Sequence, residues 1–248
     1  MVAFASAVPR DAAPFLGHLE RFCASGNLVA RWKRHPGGNH PDGWGVAYRQ
    51  DDEIRVVRSG QPAASDPLLR KLDIRTDRFI GHVRFASNPA TVNAGNSHPF
   101  IASGIALAHN GTFRGKIGAE GDARQVSDTM VFLERLADRW NDRTLKGLED
   151  FLRETLADAE LVGDYSAANL LIASGERLFA FRHCRRDPGY YSLYLGERDG
   201  HPVAASQPLD NGDGWRLLED GELVDLDPAG VRSVLLPTRG PSPGPSRQ

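Results

Sequence analysis

Apolar and polar positions divide the chain into three zones. In the first, Met1 to Ser6 reads as a strand and Asp11 to Ser25 as a helix with Leu16, Leu19, Phe22 and Cys23 on one face, stopped by Gly26-Asn27. "WGVAYR" (44–49) and "EIRVVRSG" (53–60) pattern as paired strands, and "DPLLRKL" (66–72) as a short helix. "RFIGHVRFAS" (78–87) and "GIALAHNG" (104–111) are apolar on both faces, which predicts strands covered on two sides.

The middle zone is helical. After a Gly-rich loop, Ser127 is placed to cap a helix in which Met130, Leu133, Leu136, Ala137 and Trp140 recur at helical spacing. Thr144 opens a second helix carrying Leu145, Leu148, Leu152 and Leu156. The last zone holds strands only: "AANLLIAS", "RLFAFRH", "YYSLYLG", "PVAAS", "ELVDL" and "VRSVLL", at the spacing of antiparallel sheets. Strands, two central helices, then strands predict an α+β fold with helices packed on sheet faces. Neither an internal repeat nor an interior linker breaks the pattern, so residues 1–237 are expected to form one domain, and the Pro/Ser/Gly-rich 238–248 a disordered tail.

Composition narrows the function. With 30 basic and 32 acidic residues the net charge is -2, so no global field favours nucleic acid or an anionic membrane, and the expected partner is a small molecule or another protein. The basic cluster Arg31, Lys33, Arg34 with Trp32 reads as a solvated loop. No run of about 18 apolar residues and no basic, apolar leader is present, which predicts a cytoplasmic chain. Cys23 and Cys184 form no paired motif and read as ordinary buried thiols. His35, His40, His98 and His109 match no zinc spacing, so neither a metal nor another cofactor is expected.

Four stretches are out of place in a purely structural chain. "GHVRFAS" sets Arg84 in an apolar strand, where a guanidinium needs a partner. "NSHPF" carries His98, a turn by default; "AHNG" ends a strand on Asn110-Gly111, the usual hairpin signal; "SDTM" puts Asp128 at a helix start, where a carboxylate complements the dipole. Together they supply a basic fork for a carboxylate, a carboxylate for an ammonium, and two N–H donors for a developing oxyanion. Such a set suits an α-amino acid head whose far carbonyl is attacked.

Through "HPDGWGVAY", "GHVRFAS", "NSHPF", "AHNG" and "SDT", and on through "NLLIASGERLFAFR" and "VAASQPLD", the chain resembles the class II glutamine amidotransferase domain of the N-terminal-nucleophile hydrolases, in particular the stand-alone bacterial members. The resemblance implies a four-layer αββα sandwich of two antiparallel sheets. It implies that Arg84 binds the α-carboxylate of glutamine and Asp128 its α-amino group. Asn110, by its side-chain amide, and Gly111, by its N–H, would form the oxyanion hole, with His98 and Trp44 shaping the pocket.

The family's nucleophile is an N-terminal cysteine whose own α-amine is the general base. Val2 stands where that cysteine is expected, and Cys23, Cys184 and Ser6 do not replace it by register. Three readings stay open: a glutamine-holding chain without hydrolysis, an altered start, or a chemistry that uses a bound water. The expectation is therefore a class II amidotransferase-like protein for glutamine or a γ-glutamyl amide, with an ammonia-accepting synthetase or other protein as partner. The alternative is an inactive glutamine sensor or regulatory subunit.

Overall fold

The computed structural model describes residues 1–25, 38–86 and 88–237. The Gly26-Asn27 stop, the Arg31–Arg34 cluster, His35, Ser87 and the 238–248 tail lie outside the described residues. In chain order come β1 (Val2–Asp11), α1 (Ala13–Ser25), β2 (Trp44–Gln50), β3 (Glu53–Ser59), α2 (Pro67–Arg70) and β4 (Arg75–Val83). Next are β5 (Phe100–Ala102), β6 (Ile105–Gly111), α3 (Gly115–Arg124), α4 (Asp128–Arg139), α5 (Leu145–Ala157) and α6 (Ala159–Val162). The remainder is β7 (Ala168–Ser174), β8 (Arg177–Arg182), β9 (Tyr194–Arg198), β10 (His201–Ala205), β11 (Arg216–Leu217), β12 (Glu222–Asp225) and β13 (Arg232–Leu235).

Among the described residues these strands pair antiparallel in two sheets, ordered β11-β9-β10-β1-β4-β2-β3 and β13-β12-β8-β7-β6-β5. Strand alternation then decides the layers. On β1, Val2 and Phe4 face α1, where Phe4 stacks on Phe15 at 4.4 Å, whereas Met1, Ala3 and Ala5 face the second sheet. The space between the sheets is filled largely by small residues, among them Ala47, Ala106, Ala108, Ala173 and Ala180, so the two backbones pack close. The outer face of the six-stranded sheet carries the bulk: Phe113, Phe132, Phe151 and Trp140 pack there against Ile117, Leu133, Leu148 and Val162 of the helices. The result is the four-layer αββα sandwich, with α1 and α2 on one outside and α3 to α6 on the other.

Beyond the short β5, α6 and β11 and the run of β1 to Asp11, which the sequence pattern did not predict, two segments change kind. The Gly-rich stretch expected as a loop is the helix α3. Its glycines serve contact: a Cβ on Gly118 would lie 2.9 Å from the Phe113 oxygen, and one on Gly121 3.0 Å from the Val126 oxygen. Packing against α4 outweighs their poor helix propensity. "YYSLYLG" is a strand only from Tyr194 onward. The N–H groups of Tyr190 and Tyr191 both reach the Asp187 oxygen, at 2.8 and 3.0 Å, closing a turn that buries Tyr191 beside Ala167 and Cys184.

Candidate active site

Several segment ends meet at one edge of the sandwich. Arg84 is the first residue beyond β4, Asn110 and Gly111 end β6, Asp128 begins α4, and His98 precedes β5. With Met1, these residues line one cavity of about 210 Å³. The structure thus brings together Arg84, His98, Asn110, Gly111 and Asp128. Val2 and Trp44 are not among the lining residues.

Arg84 is held by its backbone and its side chain. Its N–H donates to the Gly43 oxygen at 2.8 Å, and its oxygen accepts the Asp42 N–H at 3.0 Å. Nη1 donates to the Thr91 oxygen and Nη2 to Thr91 Oγ1, both at 2.7 Å. Two of five guanidinium hydrogens are thereby used, and three have no acceptor among the described residues. Burial lowers the Arg84 pKa, and the charges of Asp42 and Asp128 offset this in part.

The loop carrying His98 lies flat on β2, and glycines allow it. A Cβ on Gly43 would meet Ser97 Oγ at 2.3 Å, and one on Gly45 the His98 oxygen at 2.5 Å. Gly43 has φ +116, a conformation that L side chains rarely adopt. The "DGWG" pattern therefore seats the loop, while Trp44 points the other way: it is wholly buried on the α1 side and donates from Nε1 to Asp66 Oδ2 at 3.0 Å. Trp44 anchors the core rather than shaping the cavity, a correction to the sequence reading.

At the end of β6, Gly111 is forced by crowding. A Cβ there would sit 2.0 Å from the Ala167 oxygen and 2.5 Å from His109 Nε2. Asn110, half-buried, has no hydrogen-bond partner for its side-chain amide among the described residues. His109 is locked beneath them. Its Nε2 donates to the Ala167 oxygen at 3.0 Å, so its Nδ1 accepts from Thr129 Oγ1, also at 3.0 Å, and its ring stacks on Phe113 at 4.6 Å.

Asp128 is tied into the frame as well. Its Oδ2 accepts the Phe113 N–H at 2.5 Å and its Oδ1 the Ser127 hydroxyl at 3.0 Å. Ser127 caps α4 through Thr129, and the Ser127 N–H donates to Asn96 Oδ1 at 3.0 Å. The Asn96 side chain thereby ties the "NSHPF" loop to the start of α4.

At the nucleophile position β1 corrects the sequence reading, which put the missing cysteine at Val2: residue 1, not residue 2, is the one at the cavity. Val2 is wholly buried in the cluster facing α1, paired with Gly81 and Ala205. Met1 reaches the cavity instead, its nitrogen donating to Ser206 Oγ at 3.0 Å. Burial lowers that amine to about 5. Both cysteines lie elsewhere: Cys23 is on the buried face of α1, and Cys184 beside Tyr191, its thiol pushed up to about 11 by burial. His82, which sequence reasoning quoted but gave no role, also lines the cavity, and its alternation with Arg84 along one strand face was the available signal. Tyr190 lines it too, brought there by the unforeseen turn. His40, His98 and His109 share the cavity, but among the described residues no group of three or more His, Cys, Asp or Glu is arranged to hold a metal ion. No described helix is long and apolar enough to cross a membrane.

The sequence profile of the class II glutamine amidotransferases matches residues 27–243. An uncharacterized protein of Methanocaldococcus jannaschii is 29% identical over 230 residues, the match covering 77% of this chain and 62% of that one. The γ-glutamyl-hercynylcysteine sulfoxide hydrolase of Mycolicibacterium smegmatis is 29% identical over 209 residues, covering 83% of this chain and 86% of that one. Among solved structures, a glutamine aminotransferase class II domain protein from Silicibacter pomeroyi superposes with a TM-score of 0.63 at 19% identity, covering 95% of this chain and 98% of that one. The glutamine phosphoribosylpyrophosphate amidotransferase of B. subtilis superposes at 0.64 and 21%, but this chain, 96% of which is covered, spans only 49% of it.

Proposed function

The chain belongs to the class II glutamine amidotransferases, and on that footing we propose that its cavity holds glutamine or a γ-glutamyl amide by the amino acid head and presents the side-chain carbonyl to Asn110 and Gly111. One observation carries the reading: Arg84, Asp128, Asn110 and Gly111, distant in sequence, line a single cavity. In this reading the three remaining N–H groups of Arg84 serve the α-carboxylate and the free lone pairs of Asp128 the α-ammonium. The Asn110 amide and the Gly111 N–H meet the carbonyl oxygen, the atom that gains charge during amide hydrolysis. The γ-glutamyl hydrolase named above supports a substituted amide as ligand, and the larger amidotransferase supports a separate ammonia-accepting partner.

Among the described residues no thiol lines the cavity. A thiol at residue 1 or in the cavity would complete it, yet Met1 occupies the strand end and both cysteines lie outside. We therefore assign the sequence as it stands to ligand binding without thiol-based turnover, the behaviour of a glutamine sensor or regulatory subunit. Isothermal calorimetry with glutamine and a γ-glutamyl alkylamide tests this: binding in the millimolar range or tighter is expected, weakened about 30-fold or more in Arg84→Ala, since truncating one partner of a buried charged pair costs about 2–5 kcal/mol. Ammonia release from glutamine by the unaltered chain would refute the assignment.

A further inference from the structure

A cavity that offers only hydrogen-bond donors to a side-chain carbonyl would hold glutamate better than glutamine. A carboxylate brings two acceptor oxygens and a full charge, whereas an amide brings one acceptor and at least one N–H donor. Preference for the amide therefore requires a group in the cavity that accepts a hydrogen bond and has no proton to give. Hydroxyls such as Thr112 and Ser206 rotate to donate or accept and do not discriminate.

His98 meets the requirement through a fixed tautomer. Its Nδ1 lies 3.0 Å from the His109 oxygen, an atom that can only accept, so Nδ1 carries the proton. The His109 N–H also points at Nδ1, but at 3.4 Å, and the shorter contact decides the tautomer. In a neutral ring with Nδ1 protonated, Nε2 is a bare lone pair. Burial first, helped by the charges of Arg84 and Arg58, holds the His98 pKa well below the ordinary histidine value, so the ring stays neutral. Nε2 has no hydrogen-bond partner among the described residues and is not among their sealed, unpaired polar atoms, and the ring lines the cavity. It is 7% exposed, and its plane is packed by His82 at 4.7 Å and Phe100 at 4.8 Å between ring centroids.

We propose that His98 selects amide over carboxylate: its Nε2 accepts the N–H of the ligand's side-chain amide while Asn110 and Gly111 donate to the carbonyl oxygen. The carbonyl that fixes the His98 proton belongs to His109, the residue before Asn110, so one strand end sets both the acceptor and the donors. A glutamate carboxylate in the same place would turn an oxygen lone pair toward the Nε2 lone pair. This inference rests on the reading of the cavity as a glutamine or γ-glutamyl amide site.

The test titrates glutamine, γ-glutamylethylamide and glutamate by calorimetry into the unaltered protein, His98→Asn and His98→Phe, with thermal melts as a fold control. Asn keeps a donor for the His109 oxygen and removes the Nε2 acceptor; Phe removes both. The unaltered protein is expected to favour at least one amide over glutamate by about 10- to 100-fold, the range for leaving a buried polar group unpaired. That ratio is expected to collapse toward one in His98→Asn while its melting temperature stays near the original. The 15N resonance of His98 Nε2 is expected at the unprotonated position and to shift when the amide is added. Amide binding with no preference over glutamate, or a preference that survives in a folded His98→Asn, overturns the inference and leaves the cavity reading standing. Failure of all three ligands to bind overturns both.

Discussion

The carboxylate of Asp128 accepts the Phe113 N–H at 2.5 Å, so a single side chain joins the segment leaving β6 to the first turn of α4. Asp128 therefore has a structural duty besides the one proposed for the ligand. The two separate by choice of substitution. Asp128→Asn keeps an acceptor for Phe113 and removes the charge, so stability is expected to change by less than about 1 kcal/mol while affinity for the amino acid head falls tenfold or more. Asp128→Ala is expected to lose both, with about 2 kcal/mol of stability gone, as read by urea denaturation beside calorimetry.

Gly111 is the least replaceable position of the site. An alanine Cβ would overlap the Ala167 oxygen at 2.0 Å, and backbone, unlike a flexible side chain, has nowhere to go. Gly111→Ala is expected to cost about 3 kcal/mol and to lower the melting temperature by several degrees whether or not ligand is present. A native melting curve would contradict the crowding.

The register of β1 predicts where a nucleophile can be restored. A chain whose residue 1 is Cys, made with an initiator Met that is then removed, places a thiol and its own amine at the cavity and is expected to release ammonia from glutamine. Val2→Cys places the thiol among the residues facing α1 and is expected to release none. A coupled ammonia assay compares the two, and the opposite ranking would show that the strand register is wrong.

Asp66 links stability to acid. Burial on its own would raise its pKa, but hydrogen bonds from Ser59 Oγ at 2.5 Å, the Leu68 N–H at 2.9 Å and Trp44 Nε1 at 3.0 Å together bring it below the ordinary value. A depressed carboxyl pKa contributes stability that is complete above the unfolded value of about 3.9 and is lost as the pH falls through the lower folded value. Denaturant melts between about pH 5 and pH 2 are expected to show that loss, and Asp66→Asn to show a shallower one from a lower starting stability, because Asn accepts from fewer donors.

Much of the site was legible as residue types at spacings. An arginine at the end of an apolar strand and a carboxylate at a capped helix start each need a partner that a structural chain does not obviously supply, and both line the cavity. Trp44 was misplaced because a bulky aromatic beside glycines reads equally as pocket or core. Tyr190 went unseen because alternating aromatics resemble a strand, while Asp187 takes both tyrosine N–H groups into a turn. Glycines misled at α3, where close helix packing, invisible in one sequence, outweighed propensity.

By itself the sequence determined the kind and order of most of the longer elements, α3 excepted, since hydrophobic period and capping residues are local properties. The α+β arrangement follows from that order. Tertiary structure alone decided phase: which of Met1 and Val2 faces the cavity depends on pairing Val2 with Gly81 and Ala205, residues far along the chain, and a strand's alternation says nothing of which face is buried against what. The same holds for the His98 proton, which is placed by a carbonyl eleven residues away. Local pattern carries period, whereas register and tautomer are set by contacts that exist only once the sheets have formed.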